Sequence, residues 1–295
     1  INLLKVEVQA PPRVRELQLA SVPIKKEMKK QVLGTGFAAL LGVALVGAGI
    51  TLFERRTNRL FRSMDLSGAT SMNLIGTLPD LTSAESMPAG DGKSLLDDEF
   101  MEGIDKVRLH LTRNFLDSRS QAILVASAER GEGKTTLAGH LAVSLTKSDR
   151  KVVLVDANLR HPEMHTHLGL PESPGLSEAI RGDQNLQEVV QRTTIPNLWF
   201  LAAGRFDGIA QQAIGREKLA RIIDRLRQEF DYVLIDGHAL LPVADSYLVA
   251  QHCDAVLLVA RKYVSRKHLV EQTYERVAEL GIPHTGVIFM GEASK

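Results

Sequence analysis

The stretch SAERGEGKTTLAGH, Ser127 to His140, follows the apolar run AILVA and opens an amphipathic segment. A glycine-rich turn before a helix is common, but the Gly-Lys-Thr-Thr placement between an apolar strand and a helix is specific. The arrangement is that of a P-loop, which needs glycines so that successive backbone N–H groups can approach phosphate oxygens. Gly131, Glu132 and Gly133 form the loop, and Lys134 adds a point charge. The Thr135 hydroxyl, followed by Thr136, stands where a Mg²⁺ ligand is expected, and the helix N-terminus favours an anion. Ala128 takes the position of the motif's first glycine. The ligand so implied is a nucleoside triphosphate with Mg²⁺.

The rest of the C-terminal portion repeats one theme. AILVAS, KVVLVDA, LWFLAAG, DYVLIDG, AVLLVAR and TGVIFMG are apolar runs without period-two polarity, as expected of strands buried on both faces. Between them lie segments such as EKLARIIDRLRQEF with a single apolar stripe. The fold class expected is α/β, a mostly parallel sheet covered by helices on both faces, with ligands at the carboxyl ends of the strands. Two of those ends carry a carboxylate, Asp156 after VVLV and Asp236 after YVLI. Either can complete the charge balance of Mg²⁺ or take a proton from an attacking hydroxyl; one such residue can be a mere helix cap, but two, each after a buried apolar strand, favour the functional reading.

A different element dominates the N-terminal portion. Gln31 to Phe53 contains no charged residue. As a helix it extends about 34 Å, against a hydrocarbon core of about 30 Å. Four lysines (25, 26, 29, 30) precede it and four arginines (55, 56, 59, 62) follow it. Residues 31–53 are therefore expected to be a transmembrane helix, and the equal flanks do not orient it. The nucleotide site does, by placing the C-terminal side in the cytoplasm. Ala38 and Gly42, and Ala44 and Ala48, are small-residue pairs that permit close helix packing.

Within residues 1–30 the stretch LLKVEVQAPPRV alternates and then breaks at Pro11-Pro12, as the end of an extracytoplasmic domain would. The chain opens at Ile1 rather than Met and is treated as an N-terminal fragment in which no signal peptide can be read. Residues 54–93, rich in Ser, Gly, Pro and Met, are expected to be a cytosolic tether carrying the apolar piece NLIGTLPDL. Residues 94–295 form the P-loop domain, entered through a helix with Ser94 and Asp97 as a capping pair and Leu96, Phe100, Ile104, Val107, Leu111 and Phe115 on its apolar face.

A formal charge of +1, from 36 basic and 35 acidic residues, argues against nucleic acid as a partner. One cysteine, Cys253, precludes an internal disulfide. HPEMHTH gathers His161, His165 and His167, but a polar loop explains them better than a metal site does. Arg160 suits either phosphate or a surface ion pair. The basic run ARKYVSRKH, Ala260 to His268, suits a solvated helix start within reach of lipid headgroups.

Taken together, the proline-bearing N-terminal segment, the span, LIGTLPDL, GEGKTT, VLVDANLRHPEMH, DYVLIDG and VADS resemble the bacterial tyrosine autokinases (BY-kinases). These fuse a polysaccharide co-polymerase membrane domain to a cytosolic P-loop kinase. The resemblance implies ATP and Mg²⁺ as cofactors, transfer of the γ-phosphate to protein tyrosine, and Lys134, Asp156 and Asp236 as catalytic residues. It implies Gly131, Glu132, Gly133, Lys134, Thr135 and Thr136 around the nucleotide, and Thr135, Asp156 and Asp236 at the metal. It also implies self-association, partnership with polysaccharide polymerase and export machinery, contact with the lipid bilayer, and a place in the bacterial inner membrane. Partition and division-site ATPases share the fold, but usually carry a lysine where Glu129 stands. The chain departs from the kinase pattern at Asn158 (an acid in the family), at DGHA after Asp236, at Met290 and at Asp105 in the series Glu102, Asp105, Arg108. It also ends without the family's tyrosine cluster. Those departures keep a kinase-deficient assembly regulator as the alternative.

Overall fold

The computed structural model describes residues 28–57, 59–67, 72–80, 98–114, 121–206, 216–241, 245–282 and 284–292. The expected extracytoplasmic segment before residue 28 and the capping pair Ser94 and Asp97 lie outside them. The chain divides into two compact units, Ile1–Arg56 and Thr57–Lys295.

In the first unit the described element is one helix, α1, Met28–Thr57. It runs longer than the uncharged stretch because the basic flanks at both ends continue the helical turns. At 1.5 Å per residue its 30 residues extend about 45 Å. Gly34–Thr51 forms an 18-residue apolar window of mean hydropathy 1.7, none of it buried by the protein. Phe37, Leu40, Val43, Leu45 and Ile50 are exposed. A helix that is apolar all round and not covered by protein satisfies the length and composition required to cross a bilayer.

The second unit is built on an eight-stranded sheet of order β1-β8-β7-β2-β6-β3-β5-β4. All six apolar runs are strands: β2 (Gln121–Ser127), β3 (Val152–Asp156), β5 (Leu198–Leu201), β6 (Tyr232–Ala239), β7 (Ala255–Arg261) and β8 (His284–Met290). They pair in parallel. Two further strands extend the edges. LIGTL, expected within a tether, is β1 (Leu74–Leu78), which follows the short helix α2 (Met64–Ser67) and pairs in parallel with β8. β4 (Val190–Arg192) pairs antiparallel with β5.

Both sheet faces are covered, which explains the unbroken apolar runs. Ile123 and Val125 of β2 point into one core with Phe100 and Ile104 of α3 (Asp98–Asn114) and Leu137 and Leu141 of α4 (Lys134–Thr146). Ala122, Leu124 and Ala126 point into the other, with Leu219 and Ile223 of the helix Arg216–Glu229 and Val270 and Val277 of the helix Lys267–Glu279. Alternate residues of one strand thus serve opposite cores. Gly103 lies in α3 because that helix crosses β1 closely: a Cβ there would sit 2.5 Å from Leu78 Cδ2. Asp105 of α3 accepts hydrogen bonds from Arg108 Nε (3.4 Å) and from the Ser144 hydroxyl, tying α3 to α4.

Candidate phosphate-binding site

β2 ends at Ser127 and α4 begins at Lys134, so the intervening loop reverses the chain at the carboxyl edge of the sheet. Gly131 (φ 77°) and Gly133 (φ 95°) both adopt left-handed backbone, which admits glycine without strain. Gly133 is also the N-cap of α4, with no side chain to cap it, so the first N–H groups of the helix remain available. Beside them is a cavity of about 440 Å³ whose wall includes Gly131, Gly133, Lys134, Thr135 and Thr136. The structure therefore gathers five of the six predicted cradle residues around one hollow.

The sixth turns away. The Glu132 side chain is fully buried, accepts a hydrogen bond from the Glu129 N–H (2.8 Å) and another from the Ser265 hydroxyl. Burial pushes its pKa up, and the Ser265 hydroxyl partly offsets this. Glu132 thus fastens the loop to the β7–helix connection, and only its backbone can face a phosphate.

Lys134 Nζ donates to Ser127 Oγ at 2.9 Å and reaches the Glu129 carbonyl at 3.5 Å. Burial lowers its pKa, opposed by the Asp236 and Glu132 carboxylates. A cation held against two weak acceptors in a mostly dry setting is a strong counter-charge for an incoming phosphate.

Asp156 and Asp236 are register partners on adjacent strands β3 and β6. Both are fully buried or nearly so, and they stand behind the cavity rather than on its wall. Their bonding differs. Asp156 accepts from the backbone N–H of Asn158 (3.0 Å) and of Met164 (3.3 Å), the first residue of α5 (Met164–Leu168). Burial and then the charge of Asp236 raise its pKa well above the usual carboxylate range. Neither carboxylate oxygen of Asp236 has a hydrogen bond of normal geometry. Burial pushes its pKa to about 7, with the facing Thr135 hydroxyl and then Lys134 pulling it down. An unpaired carboxylate behind a wall hydroxyl suits a hard cation, which takes one or two carboxylates and completes its shell from phosphate and water. Among the described residues no group of three or more His, Cys, Asp or Glu side chains is placed to hold a metal, so the histidines of HPEMHTH do not form one.

The cavity wall also includes Arg130, Glu163, His238 and Arg261, none of which sequence reasoning singled out, as well as Asn158 and His161. His238 could have been found. It lies two positions after Asp236 in β6, which continues to Ala239 through a register shift against β2. Burial and the nearby Arg160 and Lys134 charges hold its pKa down to about 4. Met290 lies against the loop, with its Sδ 2.6 Å from where a Cβ on Gly133 would be.

With this geometry in place, similarity to known proteins is informative. The AAA domain family matches residues 120–264. The EpsB protein of Ralstonia nicotianae, described as a candidate tyrosine-protein kinase, is 27% identical over 289 residues, 94% of this chain and 38% of its own length. The tyrosine-protein kinase ptk of Acinetobacter johnsonii is 26% identical over 65% of this chain and 26% of its own length. The chain thus spans well under half of these relatives. Among solved structures, the kinase domain of the Escherichia coli tyrosine kinase ETK superposes with TM-score 0.70 at 20% identity, over 80% of this chain and 97% of that one. The septum site-determining protein MinD of Pyrococcus horikoshii, solved with Mg-ADP, gives 0.51 at 25% identity over 58% and 70%. The AAA domain, the eight-stranded P-loop sheet and this similarity along nearly the whole chain are consistent with the resemblance to the bacterial tyrosine autokinases.

Proposed function

We propose that the chain is part of an inner-membrane protein of exopolysaccharide or capsule synthesis and export. Its cytoplasmic P-loop domain binds ATP·Mg²⁺ and transfers the γ-phosphate to protein tyrosine. The observation that carries this reading is the convergence on one cavity of left-handed Gly131 and Gly133, Lys134, Thr135 and, behind Thr135, the unpaired Asp236 carboxylate. Loop N–H groups and Lys134 would hold the phosphates, and Thr135 and Asp236 would hold Mg²⁺, which would supply neutralisation of phosphate charge. In the transfer the tyrosyl oxygen bonds to the γ-phosphorus, the bond to the β–γ bridging oxygen breaks, ADP leaves, and the tyrosyl proton passes to a carboxylate. Asp156 is the carboxylate assigned to orient that hydroxyl; its two oxygens accept one N–H each, from Asn158 and Met164, which leaves acceptor capacity for it. Of the chain's four tyrosines Tyr263 alone is exposed, at 55%. Tyr232 is buried, Tyr247 has an enclosed hydroxyl, and Tyr274 accepts the Asn73 N–H.

Asn158 on the cavity wall supports a second reading, since an amide there supplies no charge. In it the domain binds nucleotide and controls assembly of the membrane protein without tyrosine transfer, as a partition-type ATPase would. Incubation of the full chain with γ-labelled ATP, followed by phosphotyrosine mass spectrometry, separates the two. Label on tyrosine, abolished in Lys134→Met, supports the kinase; phosphate release without label supports the regulator.

A further inference from the structure

Outside α1, five large apolar side chains are exposed among the described residues: Phe61, Met64, Leu109, Tyr263 and Val264. Four of the five lie on two short stretches that are bonded together. Leu60 N–H donates to the Ser265 carbonyl and Tyr263 N–H donates to the Leu60 carbonyl, both at 2.9 Å. Arg59 NH1 donates to the Tyr263 carbonyl at 3.0 Å, and the Phe61 and Tyr263 rings meet edge to face at 5.6 Å. Leu60 itself is fully buried, so the stretch after α1 is anchored by one side chain while its neighbours project outward.

Among the described residues, the cations of this patch outnumber the acids paired with them. Arg59, Arg62 and Arg266 are exposed, and Lys262 Nζ lies 5.0 Å from the centre of the Tyr263 ring. Asp65 is occupied by the N–H groups of Phe61 and Arg62, and Glu292 by the N–H of Ser63. Glu129 sits 3.7 Å from Arg266. Exposed aromatic and apolar groups ringed by arginine and lysine match the boundary between headgroups and acyl chains of an anionic bilayer.

Chain length selects the bilayer over other occupants. Six helical residues separate Thr51, the end of the apolar window, from Thr57, about 9 Å. Four more reach Phe61, at most about 14 Å. We propose that the patch formed by Phe61, Met64, Tyr263 and Val264, with Arg59, Arg62, Lys262 and Arg266, docks the P-loop domain onto anionic lipid headgroups. The inference rests on α1 spanning the membrane and names the surface through which the domain then meets it.

The test uses the full chain in nanodiscs, with Met64→Cys carrying a polarity-sensitive dye and Leu109→Cys as the exposed site outside the patch. Cys253 is buried and stays unlabelled. In discs containing phosphatidylglycerol the Met64 probe shifts to the blue and is quenched by headgroup spin labels, and the Leu109 probe is not. Replacing Arg59, Arg62, Lys262 and Arg266 together by Gln removes the difference, as do discs of phosphatidylcholine alone. Indistinguishable probes in anionic discs overturn the proposal. A Met64 shift that depends on protein concentration and persists in detergent overturns it in favour of a second copy of the chain. A chain extracted by carbonate refutes the span itself, and the docking inference with it.

Discussion

Gly133→Ala is the most discriminating small change in the loop, because two separable costs fall on one methyl group. Gly133 has φ 95° and ψ 17°. A residue with a Cβ in left-handed backbone loses about 1–2 kcal/mol. The new Cβ also lies 2.6 Å from Met290 Sδ and 3.1 Å from its Cε, so the methionine must move within a filled core, at about 1–3 kcal/mol. The sum, about 2–5 kcal/mol, lowers the melting temperature by on the order of 10 °C for a domain of this size. Urea denaturation without nucleotide measures it, and a double-mutant cycle with Met290→Ala divides it. Met290→Ala alone loses about 2–5 kcal/mol as a buried truncation. In that background Gly133→Ala should cost only the backbone part, about 1–2 kcal/mol. A cost that persists in full when Met290 is absent, or one below about 0.5 kcal/mol with Met290 present, refutes the account of this contact.

Further expectations concern groups away from the cavity. Glu178, its side chain 9% exposed, accepts from the Gly175 N–H (2.8 Å), the Arg205 N–H (3.0 Å) and Arg181 (3.2 Å). Burial pushes its pKa up, but these donors outweigh it and hold the carboxyl below its usual range. Glu178→Ala should therefore cost about 1–3 kcal/mol at pH 7 by leaving the Gly175 and Arg205 N–H groups without their acceptor, while Arg181 keeps its ion pair with Asp183. The pair's stabilising effect is complete above the unfolded carboxyl pKa of about 4.3 and is lost as pH falls through the lower folded value. The gap between wild-type and mutant urea midpoints should narrow in acid. The Cys253 thiol, pushed up to about 12 by burial, should resist alkylation until the domain unfolds; rapid native-state labelling contradicts that. Asp105→Ala, which frees Arg108 and Ser144 from their shared carboxylate, should lower stability by about 1–2 kcal/mol in thermal melts, with nucleotide affinity unchanged.

The parts of the fold legible in the sequence are those where one residue pattern has one physical solution. Six apolar runs without polar alternation became six strands because each is buried on two faces. The loop GEGKTT borders a cavity, with its glycines in backbone that other residues resist. Strand β1 was hidden because only Leu78 of its five residues is fully covered and its partner β8 lies some two hundred positions away. Glu132 shows the converse limit: the motif places its backbone correctly, while the direction of its side chain depends on Ser265, which no local pattern announces. The same long-range folding brings Tyr263 beside Phe61.

The central claim is that Lys134 and the left-handed glycine loop hold a nucleotide's phosphates. Calorimetric titration of ATP, with and without Mg²⁺, into the full chain and into Lys134→Met tests it most directly. Loss of one charge-assisted contact of about 1.5–3 kcal/mol should weaken binding roughly 10- to 150-fold, and wild-type affinity should depend on Mg²⁺. Equal affinity in the two proteins, or no heat in either, would contradict the account.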